Sequence, residues 1–190
     1  MLKKILLSLF LLCNLLIAEE VNIKLSPFGI TLGDKFDKNI QIIKLSDDTF
    51  EVNPSKPISY FATYMVLLNK DELVSKIIAI SDTFKNDDYC TSSKSSYSKL
   101  EDTLTEKYGK AKHNFDFLHS GSIWKESKYY KMSLINNERT HSTYWIINKN
   151  TIVIEEKADS NGCYIKLSYE NNDLIDAIIK DKDKKDSNSL

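Results

Sequence analysis

From Ser122 onward the sequence repeats with period two, and no other feature constrains the fold more. In the last clear segment, Cys163, Ile165, Leu167 and Tyr169 fall on one side, while Tyr164, Lys166 and Ser168 fall on the other. A strand with one apolar row and one polar row buries a single face, the habit of antiparallel sheets. The alternation predicts strands near 122–127, 129–136, 142–148, 151–157 and 163–169. Asn148-Lys149-Asn150 joins one pair. Ala158 to Gly162 joins the last two, and Asn161-Gly162 is expected to supply the positive φ of a tight hairpin.

Upstream, Ile58–Leu68 and Leu73–Ser81 flank the polar break Asn69-Lys70-Asp71-Glu72, which predicts another hairpin. Between the turn-like Ser26-Pro27-Phe28-Gly29, Leu32-Gly33-Asp34 and the prolines Pro54 and Pro57, a short helix is expected near 34–43 and a strand near 49–52. Residues 91–108 predict a helix. Tyr97, Leu100, Leu104 and Tyr108 form one apolar stripe, Thr91, Ser92 and Ser93 offer N-caps, and Ser98-x-x-Glu101 is a capping box for a later start. Lys107 and Gly109 suit its C-terminal end. A short helix over 172–180 carries Leu174, Ile175, Ile178 and Ile179. The expected fold is therefore α+β: an antiparallel β-meander with one amphipathic helix packed on it and a short C-terminal helix. It forms one domain over 19–180, followed by a charged, flexible tail over 181–190.

The N-terminus has the plan of a secretory signal peptide. Lys3 and Lys4 precede the apolar run Ile5–Ile17, then Ala18, then Glu19 and Glu20. Cleavage is expected after Ala18, giving a periplasmic protein. The run is shorter than the ~20 residues of a spanning helix. An anchor retained through an uncleaved N-terminus is the alternative. Cys13 lacks the small preceding residue of a lipid-attachment site, since Leu11 and Leu12 stand there. Loss of residues 1–18 leaves 24 basic against 27 acidic residues, a net charge of −3, and no further membrane span.

The mature chain then keeps Cys90 and Cys163. Two cysteines in an oxidising compartment read as a disulfide, here pinning the start of the helix to the inward face of the last strand. A redox or metal pair is the alternative, but redox pairs usually stand close in sequence and zinc needs more ligands.

Composition and motif content exclude several chemistries. A net charge of −1 argues against a partner held by bulk phosphate charge, so no nucleic acid is expected. Arg139 is the single arginine among 26 basic residues, which nearly removes bidentate phosphate clamps. No cofactor motif or metal-ligand spacing occurs. His113, His119 and His141 read as surface or turn histidines, and Asp159-Ser160-Asn161-Gly162 reads as a hairpin turn rather than a calcium loop. Asp181, Asp183 and Asp186 lack the glycine and closing glutamate of such a loop. His119-Ser120-Gly121-Ser122 is too short to specify a nucleophile. The adjacent carboxylates Asp47-Asp48, Asp87-Asp88 and Glu155-Glu156 read as solvated surface, because neighbours on a strand face opposite ways. No catalytic residue is assigned. The surplus is aromatic: Trp124, Tyr129, Tyr130, Tyr144 and Trp145 divide between core and a candidate binding surface.

Phe28-Gly29-Ile30-Thr31-Leu32-Gly33, a helix ending Lys107-Tyr108-Gly109, the following Trp124, and Leu167-Ser168-Tyr169 before a charged helix together resemble a group of small exported bacterial α+β proteins. The pattern is also distantly similar to the α+β modules of outer-membrane assembly lipoproteins, without their lipid-attachment cysteine. The resemblance implies export and an α+β fold, and it carries no catalytic residues across. The expectation is an exported, non-enzymatic binding or envelope-assembly accessory module with a protein or envelope partner and an oligomeric state the sequence does not fix. The alternative is a small periplasmic hydrolase acting on cell-wall or peptide substrates. A pocket gathering a histidine beside a carboxylate favours the hydrolase; an aromatic surface or an open sheet edge favours the binding module.

Overall fold

The computed structural model describes residues 24–187. The signal segment, its cleavage point and Cys13 lie outside the described residues. Eight strands form one antiparallel sheet: β1 (Gln41–Lys44), β2 (Thr49–Val52), β3 (Phe61–Leu68), β4 (Val74–Ser81), β5 (His113–Leu118), β6 (Arg139–Ile147), β7 (Asn150–Asp159) and β8 (Gly162–Asn171). Their order across the sheet is β1-β2-β3-β4-β8-β7-β6-β5. Helix α1 (Thr91–Tyr108) carries the chain from β4 to the far edge at β5, and the chain then meanders back until β8 pairs with β4. A short α2 (Tyr130–Ile135) precedes β6, and α3 (Asn172–Ser187) follows β8. The fold is α+β. No helix among the described residues is long and apolar enough to cross a membrane.

One face of the sheet is covered. Tyr97, Leu100 and Leu104 of α1 and Leu25, Phe28, Ile30, Leu32 and Phe36 of the N-terminal segment close over Val66, Ile77, Ile152, Ile154, Ile165 and Leu167. Phe28 meets Phe61, Tyr64 and Tyr169 edge-on, with ring centroids 4.9–6.0 Å apart. The other face carries Lys76–Glu170 and Lys157–Glu155–Lys166 ion pairs between half-exposed apolar residues.

The predicted helix over 91–108 and the hairpins flanking it in the sheet are all present. Asp87, not Thr91, Ser92 or Ser93, caps α1: its carboxylate accepts the Ser92 N–H at 2.9 Å. Partial burial works to raise that carboxyl, but the backbone N–H groups of Ser92, Thr91 and Tyr89 outweigh it and hold the group below the usual carboxylate value.

Four expectations need correction. No strand forms over 122–127 or 129–136; a turn, a 3-10 segment (Ser127–Tyr129) and α2 stand there. Tyr130, Ser133 and Leu134 are the buried residues of α2, and their spacing of three and four is helical. A strand, β5, occupies 113–118, where none was expected. The helix near 34–43 is only a 3-10 turn at Lys38–Ile40, capped by Asp37 and followed directly by β1. The C-terminal helix continues past Lys180 to Ser187, with Asp181 paired to Lys70 at 3.2 Å.

The β7–β8 hairpin forms as expected, for a different reason at its glycine. Ser160 and Asn161 make the two-residue turn, and Asp159 Oδ1 accepts the N–H groups of Asn161 (2.7 Å) and Gly162 (3.1 Å). Asn161 is not at positive φ; Gly162 is, at 156°. A Cβ on Gly162 would stand 2.2 Å from the Phe84 carbonyl oxygen, because Phe84 bridges to Cys163 through paired backbone hydrogen bonds. Gly162→Val should therefore destabilise by about 1–3 kcal/mol through overpacking against backbone. Urea melts of that variant matching wild type would refute this account of the glycine.

Candidate functional site

The densest chemistry lies where α1 and α2 meet β6 and β7. Glu156 is 1 % exposed, so the reading of Glu155-Glu156 as solvated surface fails for its second member. Glu156 pairs with Ile165 in the register and falls on the covered face of the sheet, between Ile154 and Ala158. An isolated buried carboxylate is costly, and this one is surrounded by donors. Ser93 of α1 bonds Oε1. Tyr130 of α2 donates to Oε2 at 2.8 Å, and His141 Nδ1 lies 2.6 Å from the same oxygen. Tyr130 Oη and His141 Nδ1 are 3.1 Å apart.

Aromatic and charged side chains packed around these four residues hold them in place. Tyr97 stacks on the His141 ring at 4.1 Å and donates to Thr143, which in turn donates to Glu101. The Tyr130 ring carries Lys94 Nζ at 3.2 Å and the Arg139 guanidinium at 4.5 Å, and Arg139 is paired with Asp116 at 2.7 Å. Burial and then the Glu156 carboxylate push the Tyr130 phenol well above its ordinary pKa. Burial pulls the Lys94 ammonium below the usual lysine value, against the attraction of Glu156. Each of these groups is held by another, and the His141 side chain is only 14 % exposed. The arrangement fastens α1 and α2 to the sheet.

Cys90 and Cys163 sit beside this network at disulfide distance, with Cα atoms 5.8 Å apart. Both are fully buried, and Tyr130, Leu134 and Ala158 pack around them. Cys90 immediately precedes α1 and Cys163 is the second residue of β8, as the sequence predicts.

The five candidate surface aromatics do not form one surface. Trp145 is 1 % exposed in the core, with its indole N–H on the Gly109 carbonyl at 3.0 Å. Tyr130 is buried in the Glu156 network. Trp124 and Tyr129 make a half-buried, edge-on pair. Only Tyr144 lies on the uncovered face of the sheet, half-buried beside Phe115, with centroids 5.9 Å apart.

The exposed aromatic row is elsewhere, on β5 at the sheet edge. His113, Phe115, Phe117 and His119 follow one another with centroids 5.5–6.2 Å apart. Phe115 is 39 % and Phe117 48 % exposed. The bonds flanking the strand fix which backbone groups are used. His119 N–H reaches Glu138 O at 2.7 Å, in step with the register of the strand, whereas Lys112 N–H reaches Tyr144 O at 2.8 Å, one residue out of step and just before the strand begins. Over the unbroken register from His113 to Leu118, the His119 bond sets the phase, and the odd-numbered residues bond to β6. The N–H and C=O groups of Asn114, Asp116 and Leu118 therefore turn outward.

The opposite edge, β1, also exposes apolar residues, but its ladder is broken by a register shift between Gln41 and Ile43. A bulge of that kind blunts an edge; β5 keeps one register over His113–Leu118, and its out-of-step bond, at Lys112, lies before the strand. His119-Ser120-Gly121-Ser122 is a turn: Ser122 Oγ accepts the Trp124 N–H, and His119 contacts Thr140.

Two open surface depressions of about 250 and 220 Å³ border the segment 24–40, and neither is lined by a histidine. No family model, curated protein or solved structure matches the chain, so its site is read from its own geometry.

Proposed function

We propose that this chain is an exported periplasmic protein that works as a non-enzymatic binding or envelope-assembly accessory module, taking its partner along β5. The observation that carries the reading is the open edge at β5 bearing an exposed aromatic row. Outward backbone groups at Asn114, Asp116 and Leu118 supply hydrogen bonds to an added strand, and Phe115 and Phe117 supply its side-chain contacts. The buried cysteine pair supports export, since such pairs persist in oxidising compartments.

The test uses protein recovered from the periplasm, whose intact mass gives the cleavage position. Isotope-labelled protein is titrated with extended peptides carrying apolar residues at alternate positions. Amide shifts are expected at 113–119 and should disappear in Asn114→Pro. That substitution removes one outward N–H and leaves the ladder to β6 intact. Shifts confined to other elements, or retained in full by Asn114→Pro, would overturn the reading.

One observation favours the hydrolase alternative: His141 is oriented by a carboxylate, as in catalytic dyads. Hydrolysis of a peptide or cell-wall substrate that His141→Gln abolishes would establish it.

A further inference from the structure

The residues that face the uncovered side of the sheet along β5 read the same in both directions: His113, Phe115, Phe117, His119, centred on Asp116. A two-fold axis relates identical patches, so a strand pairs with its own copy only if it is self-complementary under reversal. We propose that the strand added to β5 is β5 of a second copy, antiparallel and centred on Asp116. This rests on the reading of β5 as the recognition edge.

The hydrogen-bond phase permits the pairing. Only Asn114, Asp116 and Leu118 offer outward backbone groups, and the axis sets Asp116 against Asp116 and Asn114 against Leu118 of the second copy. On the uncovered face, Phe115 then opposes Phe117 of the second copy, and His113 opposes His119. Aromatic cross-strand pairs of this kind stabilise a sheet. Two registers shifted by one step on either side also match the backbone phase. They set phenylalanine against histidine or against its own counterpart, and they lose one full row of pairs.

Charge fits the same axis. Two Asp116 carboxylates directly opposed would repel, but each is already paired with its own Arg139 at 2.7 Å. The line across the axis runs guanidinium, carboxylate, carboxylate, guanidinium. No lysine lies within 113–118, the usual device for keeping an edge strand alone. Dimerisation would join two eight-stranded sheets into one and remove both β5 edges.

Analytical ultracentrifugation of the native protein across a concentration series tests this directly. A concentration-dependent dimer is expected, and Phe117→Glu should weaken it about tenfold, since symmetry removes two aromatic pairs at once. Single-cysteine variants read the register. Oxidised Asp116→Cys should give a covalent dimer, because paired strands hold Cα atoms within the ~4.4–6.8 Å a disulfide spans. Asn114→Cys should not, since its counterpart lies four residues away along the strand. A monomer at every concentration, or equal cross-linking of the two variants, would overturn the proposal. A monomer that still binds extended peptides at 113–119 refutes only the second copy as partner. A monomer that binds none refutes the β5 reading as well.

Discussion

Glu156→Ala should cost about 3–5 kcal/mol of unfolding free energy, the loss expected when one partner leaves a buried, hydrogen-bonded polar cluster. Three donors converge on that carboxylate: Ser93 from α1, Tyr130 from α2 and His141 from β6. Alanine removes the acceptor that all three share in a mostly buried site, and an unmade buried hydrogen bond costs more than a made one gains. It also opens a void between three elements. Glu156→Gln keeps the volume and one acceptor oxygen, so it should lose less. Urea denaturation of the three proteins decides the matter. An alanine variant within ~1 kcal/mol of wild type would mean the network contributes no more than a surface contact does.

Replacing both Cys90 and Cys163 with alanine should cost about 2–5 kcal/mol and lower Tm, with the folded fraction keeping its β5 surface. The separation is 73 residues. In the chain-entropy account, closing a loop of that length restricts the unfolded state by roughly 4 kcal/mol. Both residues are fully buried, so the alanines also lose apolar contact with Tyr130 and Leu134. Alkylation of the native protein followed by mass measurement should find no free thiol. Two alkylated cysteines would end the idea that the pair is bonded.

Where the sequence was readable, two signals agreed. In α1 the stripe Tyr97, Leu100, Leu104 coincides with a glycine stop, and Gly109 does end the helix at φ 82°. In β8 a strict alternation coincides with a hairpin turn. Where two signals conflict, the sequence points to the wrong element. Residues 129–136 are rich in residues favoured in strands, yet Tyr130, Ser133 and Leu134 bury at helical spacing. Aromatic β-propensity masked the period, and it was overridden by packing. His113–Phe117 alternates, Leu118 breaks the pattern, and almost all of the strand's residues are exposed. An edge strand with so little burial lacks the contrast that marks a strand in sequence.

The buried network escaped for another reason. Ser93, Tyr97 and Glu101 share one helix face, a spacing visible in the sequence, but their partners come from three other elements, β5, β6 and β7. Glu156 could have been suspected from parity alone, since Ile154 and Ala158 flank it on the inward side. Its adjacency to Glu155 gives the look of a solvated carboxylate pair, which the strand separates onto opposite faces. Tertiary convergence of single residues leaves no local motif to find.

The place of β8 in the sheet governs how the chain can be assembled. It is the last strand in sequence, yet it lies between β4 and β7 in the middle of the sheet. Before Gly162–Asn171 arrives, β1–β4 and β5–β7 are two separate ribbons, each with an open side at what will become the centre. Ile77 and Ala79 on one ribbon and Ile152 and Ile154 on the other then face water, although all four end fully buried. Closure joins residues about ninety positions apart, Ile77 to Tyr169 and Ala79 to Leu167, and such long-range pairing is slow. A chain that emerges from its N-terminus therefore keeps the apolar rims of both ribbons open to other chains until Gly162–Asn171 has followed, so the order of emergence sets when its core can seal.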